Sequence, residues 1–264
     1  MSLMGRTFIA LANLACTGTA LAQVGDFYRP VLPPGVDQGG VVGVAAIAGR
    51  AYQGADESRT RVLPSLDYQW ANGFFAGVIN GVGYNASNER EMAYGVRLTL
   101  DFGRDEKRSP ALRGLGDIDA RPEAGVFFNV SPTPGVVLTS SLRAGSGQDR
   151  DGMLVDVGLQ WSTQWRPAWR VGASVAATWA NQAYQQDYFG ISAAQSANSV
   201  YAAYRPDAGL RDVRVSALVA YRLTPEWQLI TSLTRTELQG DARRSPLVRQ
   251  AGSTTGVLAV GYQF

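Results

Sequence analysis

Residues 169–179, reading WRVGASVAATW, restrict the possible folds more than any other stretch of this chain. Taken two at a time, they place Trp169, Val171, Ala173, Val175, Ala177 and Trp179 on one side. Arg170, Gly172, Ser174 and Thr178 fall on the other. Successive side chains of a strand point to opposite faces, so this is a strand with one apolar and one polar face. Ten steps at ~3.3 Å, tilted by ~40°, rise about 25 Å, the height of the apolar band of a membrane β-barrel. An indole at each end fits the two interfaces of such a band. A soluble sandwich gives no reason for that separation.

The pattern recurs. Met92, Tyr94, Val96, Leu98, Leu100 and Phe102 oppose Ala93, Gly95, Arg97, Thr99 and Asp101. Ala124, Val126, Phe128 and Val130 oppose Glu123, Gly125 and Asn129. Met153, Val155, Val157, Leu159 and Trp161 oppose Asp156, Gly158, Gln160 and Ser162, and Val213 to Leu223 oppose Asp212, Arg214, Ser216, Ala220 and Arg222. Segments 135–143 and 226–236 alternate more weakly, and 40–49, 60–70 and 73–84 more weakly still. The last stretch, GSTTGVLAVGYQF (252–264), sets Thr254, Gly256, Leu258, Val260, Tyr262 and Phe264 on one face. A C-terminal aromatic closing such a strand resembles the terminal signature of bacterial outer-membrane barrels.

Lipid offers strand edges no hydrogen bonds, so a spanning sheet must close on itself. The fold class expected is therefore all-β, a transmembrane antiparallel β-barrel. Eleven strands can be placed, whereas single-chain bacterial barrels have an even number. Twelve strands are expected and ten are the alternative: a further strand lies in 24–39 or 196–205, or two N-terminal segments are one bent strand. Ser131-Pro132-Thr133-Pro134-Gly135, Trp165-Arg166-Pro167 and Thr224-Pro225-Glu226 are proline turns. Between them lie longer polar segments, 103–121, 145–152, 181–210 and 238–251. Short periplasmic turns and long outer loops place Phe264 on the periplasmic side.

Three regions follow. Residues 1–22 read as a signal peptide, with Arg6, a short apolar run and Ala20-Leu21-Ala22 as cleavage site. Residues 23–39, with three prolines and no alternation, read as an extended periplasmic arm, an inert linker or a partner-docking peptide. Residues 40–264 form the barrel. The one cysteine, Cys16, lies in the signal segment, and no run of about 20 apolar residues suggests a membrane helix.

Composition narrows the chemistry. The chain has no histidine, which removes serine–histidine hydrolases and histidine-ligated metal sites, and it disfavours the outer-membrane phospholipase, protease and deacylase types. A net charge of +2 argues against a nucleic-acid binder. No catalytic, cofactor or metal residues are assigned, and the chain is expected not to be an enzyme. Inside the barrel Arg97, Asp101, Asp156, Arg170, Asp212, Arg214 and Arg222 need partners or water. They form either a charge ladder that plugs the lumen or the wall of an ion-selective pore.

In the loops, Asp117 and Asp119 have the look of paired carboxylates, but a solvated or Arg-paired loop is the better reading. Asp241, Arg243, Arg244 and Arg249 suit lipopolysaccharide phosphates or a loop-to-loop salt bridge. Tyr184, Tyr188 and Phe189 stack on sugars or cap the barrel mouth, the cap being favoured.

Three loop wordings, SPALRGLGDIDA (109–120), TWANQAYQQDYFGIS with YRPDAGLRDV (178–192, 204–213) and GDARRSPLV (240–248), stand beside VLPSLDYQW (62–70) and the closing strand. Together and in this order they resemble the MipA/OmpV family of outer-membrane proteins over nearly all of residues 23–264. The resemblance implies a monomeric outer-membrane barrel in contact with lipid and lipopolysaccharide. It also implies a scaffold joining a lytic transglycosylase to a murein synthase of the penicillin-binding protein kind. The alternatives are a passive channel for small solutes and an OmpV-like surface protein of adhesion or stress response. The family brings no catalytic constellation and no cofactor.

Overall fold

A computed structural model describes residues 27–29, 37–89 and 91–264. The signal segment lies outside the described residues, as do 23–26 and 30–36 of the arm. Twelve strands form the wall: β1 (Gly39–Arg50), β2 (Ser58–Gln69), β3 (Phe74–Gly77), β4 (Gly81–Asn85), β5 (Met92–Asp101), β6 (Arg121–Thr133), β7 (Val136–Ser146), β8 (Gly152–Arg166), β9 (Trp169–Ala180), β10 (Gly209–Arg222), β11 (Trp227–Leu238) and β12 (Gly252–Gln263). Each is antiparallel to its neighbours in sequence, and β12 returns to β1 to close the barrel. The seam runs from Val41 opposite Gln263 to Ala48 opposite Gly256. It is narrow at Gly43, where a Cβ would collide with the Val260 carbonyl oxygen.

The alternation seen in the sequence is the alternation of lipid and lumen. Val62, Val96, Leu98, Val157, Val215, Leu233 and Leu258 are each more than half exposed, on the outer surface. In water so much contiguous apolar surface would drive aggregation, whereas in a bilayer it is the matching solvent. A belt of aromatic pairs rings the end that carries Phe264. Tyr68 meets Trp70 at 4.8 Å, Phe74 meets Tyr84 at 5.0 Å, Trp169 meets Tyr221 at 4.6 Å and Trp227 meets Tyr262 at 5.1 Å. At the other end of β9, Trp179 stands outward. The longest connections, 102–120, 181–208 and 239–251, all leave from that outer end, while the turns at the Phe264 end are short.

The expected twelve strands are present, but the twelfth arises in a different place. Segment 196–205 holds the end of a short helix, not a strand, and segment 73–84 is two strands rather than one. β3 and β4 form a hairpin that turns back partway up the wall, with Phe74 opposite Tyr84 and Gly77 opposite Gly81. Gly81 adopts φ +76°, and a Cβ there would also strike the Leu98 carbonyl oxygen. Gly81→Ala is thus expected to cost about 1–3 kcal/mol, from the left-handed conformation and the clash together. A lower urea midpoint for the refolded barrel, with new protease cleavage near residues 78–81, is the expected result.

Three short helices sit in the outer connections: α1 (Gln182–Phe189), α2 (Ala193–Asn198) and α3 (Gly240–Arg244). Asn181 caps α1 by accepting from the Tyr184 N–H. Ser192 and Gln195 form a reciprocal capping box on α2. α1 and α2 therefore begin where residue type demands, whereas α3 starts at Gln239 without a side-chain cap, and the helices fold over the barrel mouth.

Candidate functional site

The lumen contains three features in sequence from its outer to its inner end: a cap of loops, a layer of ion pairs, and a cavity entered by the arm.

The ion-pair layer is built by strand register. Inward positions of β6, β7, β8 and β10 bring Glu123, Arg143, Asp156, Arg214 and Asp212 to one level. Arg143 donates to Glu123 Oε2 at 3.0 Å and to Asp156 Oδ2 at 2.9 Å. Arg214 lies 3.5 Å from Asp156 Oδ1 and donates to Asp212 Oδ1 at 3.0 Å. Arg211 closes the row on Asp212, and its Nη1 donates to the Tyr184 hydroxyl at 2.9 Å. Thr178 donates to Asp156 at 2.6 Å and Thr99 donates to Glu123 at 3.2 Å. The six charged side chains are between 0% and 7% exposed. Charges this buried are tolerable only because each carboxylate faces at least one guanidinium group, with a threonine hydroxyl added at Asp156 and at Glu123.

Above the layer the outer loops pack into two apolar clusters. Ala51, Tyr52, Ala55, Leu112, Leu115, Ile191 and Leu247 form one. Leu154, Ala180, Tyr184, Phe189, Leu238 and Ala242 form the other. Tyr184 and Tyr188 stack at 4.5 Å, and the Tyr188 hydroxyl donates to both oxygens of Asp101 at 2.6 Å. Burial pushes the Tyr184 hydroxyl up to about 12, with Arg211 pulling the other way. Burial also pushes Tyr188 far up, reinforced by the Asp101 charge, so both phenols stay protonated and Tyr188 stays a donor. The Asp187 carboxyl is raised, chiefly by burial, although it accepts from the Gln148 N–H at 2.7 Å.

Below the layer lies a cavity of about 210 Å³, whose wall carries Gln160, Ser174, Ser216, Ser232 and Thr234. The arm reaches it from within the barrel. Phe27 and Arg29 border the cavity, and Tyr28 stacks on Phe127 at 4.3 Å and packs on Phe75 at 4.8 Å. Asn80 holds the Arg29 backbone with two bonds, accepting from its N–H at 2.9 Å and donating to its carbonyl at 2.7 Å. Asn129 donates to the Tyr28 carbonyl at 2.9 Å. Within the segment read as an extended periplasmic arm (23–39), residues 27–29 are docked in the lumen. A second cavity of about 30 Å³ lies on the outer side of the layer. Both cavities touch Thr255, with Arg214 beside the inner one and Asp212 beside the outer.

The residues singled out in the sequence separate into groups. Asp156, Asp212 and Arg214 belong to the layer, and Arg97 is buried nearby, donating to Ser141 at 3.0 Å. Arg170 and Arg222 do not join them. Both are exposed at the periplasmic rim, where Arg222 donates to the Pro167 carbonyl. Tyr184 and Phe189 are buried in the cap, and Tyr188 is half-buried beside them. Asp119 pairs with Arg121 at 3.6 Å, while Asp117 accepts from the Glu106 N–H at 2.7 Å, so the two carboxylates do not act as a pair. Asp241 binds Arg244 within α3, and Arg249 reaches Tyr201 at 3.4 Å with Arg243 exposed. Arg143 and Arg211 escaped the sequence reading. Arg143 lies in a strand of weak alternation, and a register shift between Leu210 and Asp212 turns Arg211 and Asp212 inward together.

Comparison with known proteins places this geometry. The family model described as "MltA-interacting protein MipA" matches residues 42–264. No curated protein sequence matches the chain. Among solved structures, the NanC porin aligns with a TM-score of 0.50 and 11% identity, covering 84% of this chain and 100% of its own. The KdgM porin in complex with disordered oligogalacturonate aligns with a TM-score of 0.47 and 10% identity, covering 85% and 99%. The translocator domain of the autotransporter NalP from Neisseria meningitidis aligns with a TM-score of 0.47 and 11% identity, covering 89% and 91%. At these identities the likeness is one of fold.

Proposed function

The chain belongs to the MltA-interacting protein MipA family of outer-membrane barrels, and from that membership we propose that it is a closed membrane anchor which docks a murein-degrading lytic transglycosylase at its periplasmic face. A murein synthase is the second partner of the same assembly. The role is non-catalytic: it holds partners against the membrane and makes or breaks no bond.

One observation carries this reading. The outer half of the lumen is filled by buried, mutually paired charges beneath an apolar cap, whereas the inner half keeps a cavity and receives the arm. A barrel built for flux has little use for a desolvated ion-pair layer across its bore, since a passing solute must part groups that have no water to replace their partners. A barrel built to anchor benefits, because the layer ties β6, β7, β8 and β10 together through side chains as well as backbone. The short turns are then the surface left for a periplasmic partner.

The test is retention. Refolded barrel, immobilised in detergent and shown to be folded by its heat-dependent gel mobility, is expected to hold a lytic transglycosylase through a wash at physiological salt. Passage of the enzyme without delay over a folded barrel would sink the docking role.

One observation favours a second reading, a gated passage for small solutes. The two cavities meet the same residue, Thr255, and the Arg214–Asp212 contact joins the lining of one to the lining of the other. In this reading the Arg214 side chain is the moving part. Arg214→Ala is accordingly the variant in which this reading expects conductance, and the anchor reading expects a less stable but silent barrel.

A further inference from the structure

The β8–β9 hairpin reaches farther toward the periplasm than the β6–β7 turn beside it. β7 meets β8 as far as Val136 opposite Trp161, and the Ser162 N–H adds a bond to the Gly135 carbonyl. Past that point β8 continues to Arg166, with β9 alongside it as far as Trp169. Residues 163–166 thus have a partner strand on one edge and, among the described residues, none on the other. At ~3.3 Å per residue this open edge runs for about 13 Å. Backbone groups alternate between the two edges of a strand, so Gln164 turns its N–H and carbonyl to the open side, as Ser162 does. The Gln164 side chain is directed elsewhere, donating to the Arg166 and Pro167 carbonyls at 2.8 and 3.0 Å. Trp165, on the same stretch, is 62% exposed, the most of the six tryptophans. An edge of this kind is a template for one more strand.

Three arginines surround it. Arg166 ends the edge, with its guanidinium over the Trp165 ring at 5.0 Å. Arg170 stands opposite Gln164 and follows Ser174 and Gly172 down the bore side of β9. Arg222, on the neighbouring β10, donates to the Pro167 carbonyl in the turn. All three are exposed, and among the described residues none of them joins an ion pair. Glu226, in the next turn, accepts from the Thr224 hydroxyl at 2.9 Å, and its carbonyl holds the Gln263 N–H on the β12 side. Arg170 and Arg222 face the bore rather than the lipid, so their complement comes from the periplasm and not from headgroups.

We propose that this overhang takes up an extended acidic segment of the periplasmic partner as an added strand. The inference rests on the docking role proposed above and names the surface and the chemistry that role uses. Main-chain bonds at Gln164 hold the segment, and its carboxylates meet Arg166, Arg170 and Arg222. A second copy of the same edge brings the same positive charges and is repelled, so the occupant is not another barrel.

Fluorescence anisotropy on the refolded barrel tests it, with folding checked by heat-dependent gel mobility. The probe is a labelled synthetic peptide in which Glu alternates with Val and Thr. Two comparison peptides carry Lys in place of Glu, or N-methyl groups on alternate residues. The acidic peptide is expected to bind and the Lys peptide not to, and N-methylation is expected to weaken binding about fivefold or more by removing main-chain bonds. R166Q/R170Q/R222Q is expected to weaken it about tenfold, as is salt raised to about 0.5 M. Gln164→Pro removes the outward N–H at an edge position that tolerates proline, and it is expected to weaken binding about fivefold. Should the triple variant fail to refold, Arg170→Gln alone is expected to weaken it about threefold. Glu89→Gln, exposed in the β4–β5 turn on the far side of the ring, is expected to change nothing. Equal binding of the Lys or the N-methylated peptide, or unchanged binding to the Gln164→Pro barrel, would overturn the proposal. Competition separates this inference from the docking role. A peptide that binds as expected but is not displaced by lytic transglycosylase supports the surface and sinks that enzyme as its partner. A barrel that retains the enzyme and ignores the peptide sinks the surface alone.

Discussion

Asp156→Ala is expected to destabilise the refolded barrel by about 3–5 kcal/mol, the usual penalty when one partner of a buried ion pair is removed. Asp156 is fully buried and is the hinge of the layer: Arg143 and Arg214 both lean on it, from β7 and β10, and Thr178 donates to it from β9. Its removal leaves two guanidinium groups facing each other without the carboxylate that separates them. Asp156→Asn keeps an acceptor for Thr178 and the shape of the site, so it is expected to cost less than Asp156→Ala. Urea unfolding in detergent, followed by tryptophan fluorescence, measures both. The double variant D156N/R214M removes a charge of each sign while Glu123 keeps Arg143 and Asp212 keeps Arg211, and it is expected to recover part of the loss, because the penalty lies in the unpaired charge rather than in the missing attraction. An Asp156→Ala barrel with an unchanged midpoint would mean that water, not the arginines, satisfies this carboxylate.

Phe189→Ala is expected to act locally instead. Phe189 is fully buried in the cap, packed with Tyr184, Leu238 and Ala242. Truncating an aromatic side chain in such a position costs about 3–5 kcal/mol. Tyr184, Phe189 and Ala242 belong to short helices seated on the strand ends at Leu154, Ala180 and Leu238, so the loss falls first on the cap, which can open while the hydrogen-bonded wall stays intact. The expected result is rapid proteolysis within residues 181–208 and faster amide exchange there, with the barrel's own unfolding midpoint little changed. A parallel fall in the global midpoint would show that cap and wall unfold together. Ser245 ties the same region down by donating to the Phe189 carbonyl at 2.6 Å, and Ser245→Ala is expected to give a weaker form of the same behaviour.

How far the sequence reading reached depends on which force arranges each residue. β5, β6, β8, β9, β10 and β12 are legible because lipid on one side and lumen on the other impose a two-residue period over ten or more positions. β3 and β4 are not legible as two strands, because four or five residues offer only two outward positions each and the turn at Val78–Asn80 contains no proline. The charge layer was legible as a set of inward charges but not as a network. Which arginine meets which aspartate depends on register between strands distant in sequence, and the shift beside Leu210 turns two adjacent residues inward where strict alternation allows one. The docking of Phe27, Tyr28 and Arg29 leaves no periodic trace at all. It rests on the contacts of Tyr28 with Phe75 and Phe127 and on the amide side chains of Asn80, from the β3–β4 turn, and Asn129, from β6. The cap was anticipated from the aromatic wording of 184–189, where large apolar side chains in an otherwise polar loop need somewhere to be buried.

These features converge on a barrel that is closed at its outer end. Single-channel recording of the refolded chain in a planar bilayer tests that most directly, beside a gel that shows the heat-dependent mobility of a folded barrel. The account predicts folded protein that inserts and stays silent, with the cap and the Glu123–Arg143–Asp156–Arg214–Asp212 row sealing the bore. Stable ohmic steps from the unaltered chain would contradict it and would make the Arg214–Asp212 contact a gate rather than a seal.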